Sequence, residues 1–409
     1  MIGISEINVK LLYYNLLALC FAFPVAPKLV PFFLVIISLF SVFNFRIEAR
    51  KQFKSYFPFL LSFAFYFVCI LGLFWTSDLT SGLKHLEIKL SFLVIPIIFL
   101  NKNLIPQIKI NGLYQSFIGG NIIAAIYALL KAAFSYFQEG INHFTYTLLS
   151  PNFHPTYLSI YALFCLSLLF YCSESLIKNI ILKNATIAFL IFWIFLLSSK
   201  INILILLILL VLQLIDAIRT SLNRTKLLGY SALFIIGIAT FLYFNSSIIE
   251  RFKASLTVLK TSKNILNNET ESNIARILIW NSAIELVVKH PIIGVGTGDV
   301  NNELVKEYEK RSYTGIQEKR LNAHNQYLQT ALSTGIPSAV FLIFFLVFPL
   351  IKHHFSYSKS FQYFIIIFCV NALVESTLEN QAGVVFFIFF YFLLLRSLSN
   401  KIELNLIIK

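Results

Sequence analysis

Ala382-Gly-Val-Val-Phe-Phe-Ile-Phe-Phe-Tyr-Phe-Leu-Leu-Leu-Arg-Ser397 passes from Ala382 to Leu395 without one charged side chain. Its apolar residues do not alternate with polar ones, so it is not a barrel strand with one wet face. Comparable runs recur along the chain: 58% of residues are hydrophobic, 13% are charged, and mean hydropathy is +0.78. A soluble fold of 409 residues could not conceal that much apolar surface, because part of every globule faces water. Lipid must be the solvent for much of it. In lipid, backbone amides must pair within a segment or in a closed barrel, and continuous apolar runs favour the helix. The expected fold is an all-α polytopic integral membrane protein.

Apolar runs of about 17–25 residues are long enough to cross a bilayer as helices. They fall near 9–24, 29–45, 56–75, 85–100, 113–137, 155–172, 180–199, 201–218, 227–246, 323–351, 361–376 and 382–397, which predicts twelve spans. The first, Val9 to Phe23, ends at Pro24 without an A-x-A cleavage site and reads as a span, not a signal peptide. With the N-terminus inside, the inner segments carry seventeen Lys and Arg, from Lys10 to Lys409, while the short outer loops carry Lys28, Lys84 and Lys200. That bias places both termini in the cytoplasm. The net charge of +14 therefore reports orientation, and nucleic acid is not an expected partner. The organisation read from this is spans one to nine over 1–246, a periplasmic loop over 247–322, and spans ten to twelve with a short cytoplasmic tail over 323–409. Cys20, Cys69, Cys165, Cys172 and Cys369 lie in or beside apolar runs, show no CxxC spacing, and read as small core- or lipid-facing residues.

The long loop carries eleven Lys and Arg and nine Asp and Glu. Within it Asn273 to His290 reads as an amphipathic helix stopped by Pro291, with Ile277, Trp280, Ile284 and Val287 as its apolar stripe and Glu285–Lys289 as an i,i+4 pair. Such a helix rests on the membrane surface or on the outer ends of the spans. Gly294-Val-Gly-Thr-Gly298 follows as a turn; it lacks GxGxxG spacing and a preceding strand, so it is not read as a dinucleotide site. Span ten opens with Ala323-His324-Asn325, carries Gln326, Gln329 and Thr330, and breaks at Gly335-Ile-Pro337, which puts His324 at the outer water–lipid boundary. Lys131, inside span five, reads as a snorkelling lysine. Glu269, Glu271, Glu307 and Glu309 read as solvated loop charges, and His353 and His354 as solvated inner-loop residues. No Asp-x-Asp occurs, so no metal and no cofactor is expected.

Arg276-x3-Trp280, then His290-Pro-Ile-Ile-Gly-Val-Gly-Thr-Gly298, then Ala323-His324-Asn325-x2-Leu328 and Gly335 resemble the O-antigen ligase and polymerase superfamily. The specific likeness covers 276–335. Trp75-Thr-Ser-Asp78 and Ser198-Ser-Lys200 also look family-like, although relatives commonly carry arginine where this chain has Lys200, which keeps the charge without the two-pronged geometry. The resemblance implies a glycosyltransferase of the gram-negative inner membrane. It would take a glycan from undecaprenyl diphosphate and give it to an acceptor hydroxyl on the periplasmic side. The residues suit that chemistry. A diphosphate leaving group needs cations, which Arg276 and Lys200 supply, and a sugar hydroxyl needs a base of near-neutral pKa, for which His324 is the candidate. Asn325, Glu375, Glu379, His154 and Asp78 are possible supporting residues; His143, in the loop with His154, ranks below it.

The ligase reading, with a lipid A-core sugar as acceptor, is preferred because a single extended loop and an H-N pair before span ten fit it. An O-antigen polymerase or a protein O-oligosaccharyltransferase would use the same donor. A secondary transporter is the alternative of a different class. Transporters place ionisable groups near the bilayer midplane, whereas here the polar residues gather at the outer rim.

Overall fold

The computed structural model describes residues 6–43, 53–101, 109–140, 142–150, 153–172, 176–220, 273–351 and 358–407. The expected ninth span, the first part of the long loop with Glu269 and Glu271, and His353 and His354 lie outside the described residues. All regular elements among the described residues are helical. In chain order they are α1 (Glu6–Val25), α2 (Val30–Phe43), α3 (Phe53–Leu71), α4 (Leu79–Lys89), α5 (Ser91–Leu100) and α6 (Ile110–Glu139). Then come α7 (Tyr146–Leu149), α8 (Pro155–Tyr171), α9 (Ile180–Leu196) and α10 (Lys200–Thr220). After the undescribed stretch follow α11 (Asn273–Lys289), α12 (Val300–Lys310), α13 (Thr314–Glu318), α14 (Gln326–Thr334), α15 (Ile336–Ile351), α16 (Lys359–Ala372) and α17 (Gln381–Ile407), with 3-10 turns at Pro27–Leu29 and Thr377–Glu379.

Among the described residues one helix, Ile110–Gln138, is long and apolar enough by itself to cross a bilayer, and eight shorter apolar helices of 10–17 residues accompany it. The expected fourth span is two helices, α4 and α5, divided at Leu90. A helix that is apolar on every side has to be surrounded, and two are. Pro155 to Leu169 of α8 are buried without interruption, against α6, α9, α10 and α16. In α17, Val384 to Leu395 are likewise buried. Their rings interlock: Tyr161 lies 4.4 Å from Phe386, and Phe164 and Phe117 lie 4.8 and 4.7 Å from Phe390. These two charge-free helix stretches are thus interior. The outward faces are elsewhere, as on α2, where Phe32, Val35, Leu39 and Val42 recur at helical spacing and are more than half exposed.

α11 to α14 build a second, separate core from Ala275, Ile279, Ala283 and Leu286 with Leu304, Tyr308, Ile316, Ala323 and Leu332. α11 differs from the single stripe expected of it. Ile277 and Ile284 are exposed and Val287 is buried, because the side chains at 275, 279, 283 and 286 face α12 and α14 instead. The Glu285–Lys289 pair forms at 2.9 Å and extends to α12, where Lys289 reaches Glu307 at 3.4 Å and Arg311 bonds Glu307 at 2.9 Å. Glu307 is therefore a buried ion-pair partner, not a solvated charge; Glu309 is exposed.

The 291–298 turn joins this second core to the apolar helices. Val295 and Gly296 donate backbone N–H bonds to Leu332 and Ser333, Thr297 donates to Gly72 at 3.1 Å, and Ile336 donates to Pro291 at 2.8 Å. Two glycines permit the approach. Gly294 (φ +70°) and Gly335 (φ +90°) are left-handed, and a Cβ on either would collide with backbone, of Leu332 to Thr334 and of Ile292 respectively. The amides of Gly294 to Thr297 are thus committed to protein carbonyls and that of Gly298 to the Thr76 hydroxyl, so they are not left to cradle phosphate. Next to it the buried Asp299 carboxylate accepts the N–H groups of Ser77 and Asp78 at 2.6 and 2.8 Å. Asp299→Ala leaves both amides without an acceptor and is expected to cost about 1–3 kcal/mol, read as a lower unfolding temperature in detergent.

Candidate functional site

α16 ends at Ala372, and the chain crosses to α17 through eight residues that include Glu375 and Glu379. A carboxylate removed from water stays ionised only if cations or donors surround it. Both glutamates have gathered such partners from distant parts of the chain.

Glu375 faces His324, whose Nδ1 lies 3.4 Å from Oε2. Burial alone would push the Glu375 carboxyl up, but the His324 contact and the nearby charges of His324, His154 and Arg276 outweigh it and hold the group below its ordinary value. Arg276, on the first turn of α11, anchors itself by an Nε–H bond to the Val374 carbonyl at 3.1 Å, its one hydrogen bond among the described residues. His154 caps α8, accepting from Thr156 N–H at 3.4 Å, and its ring stays exposed. Lys200 opens α10 at the same level. Two residues on, Asn202 donates to Thr156 O at 3.2 Å and accepts from Asn371 of α16 at 2.8 Å, so the starts of α8 and α10 meet the end of α16.

His324 has φ +43°, a left-handed backbone that a non-glycine residue adopts only when its surroundings demand it. Three side chains do so. Asn322 Oδ1 accepts the His324 N–H at 3.0 Å, Gln329 accepts the Ala323 N–H at 3.1 Å, and Asn325 accepts the Tyr327 and Leu328 N–H groups as the N-cap of α14. Asn325 is therefore committed to the turn that presents His324. Asp78 is committed similarly: it caps α4 through Ser81 and receives Asn302, bonds that hold its carboxyl below the ordinary value. No contact among the described residues joins Asp78 directly to the Glu375 cluster.

Glu379 forms a second hub. Lys89 Nζ reaches both oxygens at 2.9 and 3.0 Å, His85 Nδ1 lies at 3.1 Å, and Gln326 Nε2 donates at 3.1 Å. Burial would raise this carboxyl too; the Lys89 charge and the His85 bond hold it well below the usual carboxylate range. Lys89 and His85 form no part of the sequence-based site. Their signal is a lysine near the outer end of an apolar run, which has to find a counter-ion to be tolerated there. Lys131, by contrast, is exposed on α6.

A base-capable ring, an arginine whose Nη groups make no hydrogen bond among the described residues, and a carboxylate near both thus stand at one end of the helix bundle. Residues 185–343 match a family model described as O-Antigen ligase. That match supports the O-antigen ligase superfamily. It takes in Lys200, Arg276, His324 and Asn325 and ends before Glu375 and Glu379, which the fold brings to them. No curated protein matches the chain. O-antigen ligase family proteins are bacterial inner-membrane proteins, and the match supports a membrane glycan ligase- or polymerase-type function in lipopolysaccharide biosynthesis.

The Lys89–Glu379 pair has a measurable consequence. Lys89→Met leaves Glu379 buried with a large part of its compensation gone and is expected to cost about 3–5 kcal/mol. Lys89→Met combined with Glu379→Gln recovers most of that loss. Because Glu379 is depressed on folding, its contribution is present above its ordinary value of 4.5 and is lost as pH falls below that through the folded value. Unfolding temperature measured across that acidic range falls for the wild type and less for the double variant.

Proposed function

We propose that this chain is a glycan ligase: a metal-independent glycosyltransferase that moves an oligosaccharide from undecaprenyl diphosphate to a hydroxyl of lipid A-core, on the periplasmic side of the inner membrane. The observation that carries it is the Glu375 hub, which gathers His324 and Arg276 from the family-matched segment. Glu375 occupies Nδ1 of His324, so the ring's Nε2 is left to take a proton. The acceptor oxygen attacks the anomeric carbon while its proton passes to Nε2. The bond from that carbon to the diphosphate breaks, and its electron pair leaves with the phosphate. Arg276 offers its Nη groups to the departing oxygens and Lys200 adds charge from the adjoining helix end. His154, exposed beside Glu375, and Asn325, through the turn it caps, complete the surroundings. In this reading residues 247–322 are the periplasmic loop, and both termini are cytoplasmic.

The test is a lipopolysaccharide gel of a strain lacking the gene, complemented with wild type or variants. The expected result is core lipid A without O-chain, rescued by wild type only. His324→Ala is expected to reduce transfer by about 10²–10⁴-fold, the usual worth of a general base. A core carrying a single repeat unit would instead make the protein the polymerase. An unchanged ladder would overturn both readings.

A further inference from the structure

His324 and Glu375 belong to different elements, and their contact of 3.4 Å sits near the outer limit of a hydrogen bond. A displacement of the 373–380 segment by about 1 Å would break it. What fixes that spacing is therefore part of the site. Asn322, Asn325 and Gln329 shape only the His324 side, since each bonds within 322–329. Tyr327 ties α14 to Cys369 O at 3.1 Å, lower on α16 and before the crossing segment begins. Tyr157 pins Asn380, at the far end.

Gln326 lies between them. It is fully buried, and its amide is used on both sides. Oε1 accepts the Leu378 N–H at 2.7 Å, and Nε2 donates to Glu379 Oε1 at 3.1 Å and to Thr330 Oγ1 at 3.3 Å. It sits two residues after His324, and its partners sit three and four residues after Glu375. Glu379 is itself held by Lys89 and His85 of α4. We infer that Gln326 is a positioning residue: it welds the first turn of α14 to the 375–379 segment and so sets the approach of His324 to Glu375. This rests on the reading of His324 as the base only for its catalytic consequence; the geometric claim stands by itself.

The test reads geometry first and turnover second. Purified protein in nanodiscs is treated with diethyl pyrocarbonate, and carbethoxylation of His324 is followed by peptide mass spectrometry, with the exposed His290 as internal standard. Gln326→Met keeps the volume and removes every amide bond; Gln326→Glu keeps the acceptor for Leu378 and serves if the first variant does not fold. Each is expected to raise His324 reactivity several-fold, to the level of Glu375→Gln, and to add nothing in a Glu375→Gln background. Thr330→Val, which removes one partner of Gln326 without touching the 375–379 segment, is expected to leave His324 reactivity unchanged.

Turnover is then measured with donor and acceptor extracted from host membranes. kcat is expected to fall about tenfold or more, with KM for donor unchanged. The charged and titratable groups facing the pair are His154 and Tyr157 of α8, Arg276 of α11, and beyond them Glu379 with Lys89 and His85 of α4. All are retained in the variants. Unchanged His324 reactivity, or a rise matched by His290 and by Thr330→Val, would overturn the inference by reducing Gln326 to a packing residue. Altered reactivity in a protein whose wild type transfers no glycan would sustain the positioning role and sink the ligase reading instead.

Discussion

An ionised carboxylate taken out of water is among the costliest things a fold can contain, and besides Asp299 and Glu307 this one places a pair only four residues apart. Glu375 and Glu379 are both mostly withdrawn from solvent, with side chains about 12% and 7% exposed. Neither stays charged unless other segments come to it. The arrangement of the outer end of the bundle follows from that requirement. Lys89 and His85 approach from α4, Gln326 and His324 from the turn opening α14, Arg276 from α11, and His154 from the start of α8. Segments separated by as many as 290 residues are thereby held at one place. The same compensation that stabilises the two charges also collects the groups to which the proposed transfer assigns its roles.

The rest of the fold supports that gathering. α8 and α17 are apolar all round and become the interior of the bundle, so the ends of α8, α10 and α16 are fixed relative to each other, with Asn202 and Asn371 locking them together. α11 to α14 have their own core, and Gly294 and Gly335 permit the close approach at which backbone bonds tie it to Gly72 and to the start of α15. α11, which carries Arg276, and α14, which follows His324, pack against each other in that core. A site made of side chains on rigid, mutually bonded elements suits electrostatic catalysis, where the charges must already be in position when the bond breaks.

Much of this was legible in the chain and part was not, for identifiable reasons. Continuous apolar runs and the absence of alternation pointed to helices, and the cap-and-stop pattern around 273–291 marked α11 to within a residue or two. The H-N pair and its neighbours marked Arg276 and His324 because those residues lie in one contiguous, family-like stretch. The run from 85 to 100 concealed a break at Leu90, because His85, Glu87 and Lys89 were absorbed into the start of an apolar stretch although they belong to a separate, more polar helix. The stripe assigned to α11 was misjudged because the helix is apolar on two faces, and period alone does not say which faces protein. Lys89 and His85 escaped notice because their role depends on a partner far along the chain. Asn325 and Asp78 looked chemical in sequence and are helix caps in the fold, a use that asparagine and aspartate serve as readily as any other.

The central claim is that Arg276 holds the donor's diphosphate while His324, oriented by Glu375, acts on the acceptor. Binding of undecaprenyl diphosphate to the purified protein in nanodiscs tests it most directly, comparing wild type with Arg276→Ala and His324→Ala. The account predicts that Arg276→Ala weakens binding by about tenfold or more, as loss of a charge-assisted phosphate contact should, while His324→Ala binds as wild type does. Equal binding by all three, or a loss confined to His324→Ala, would contradict it.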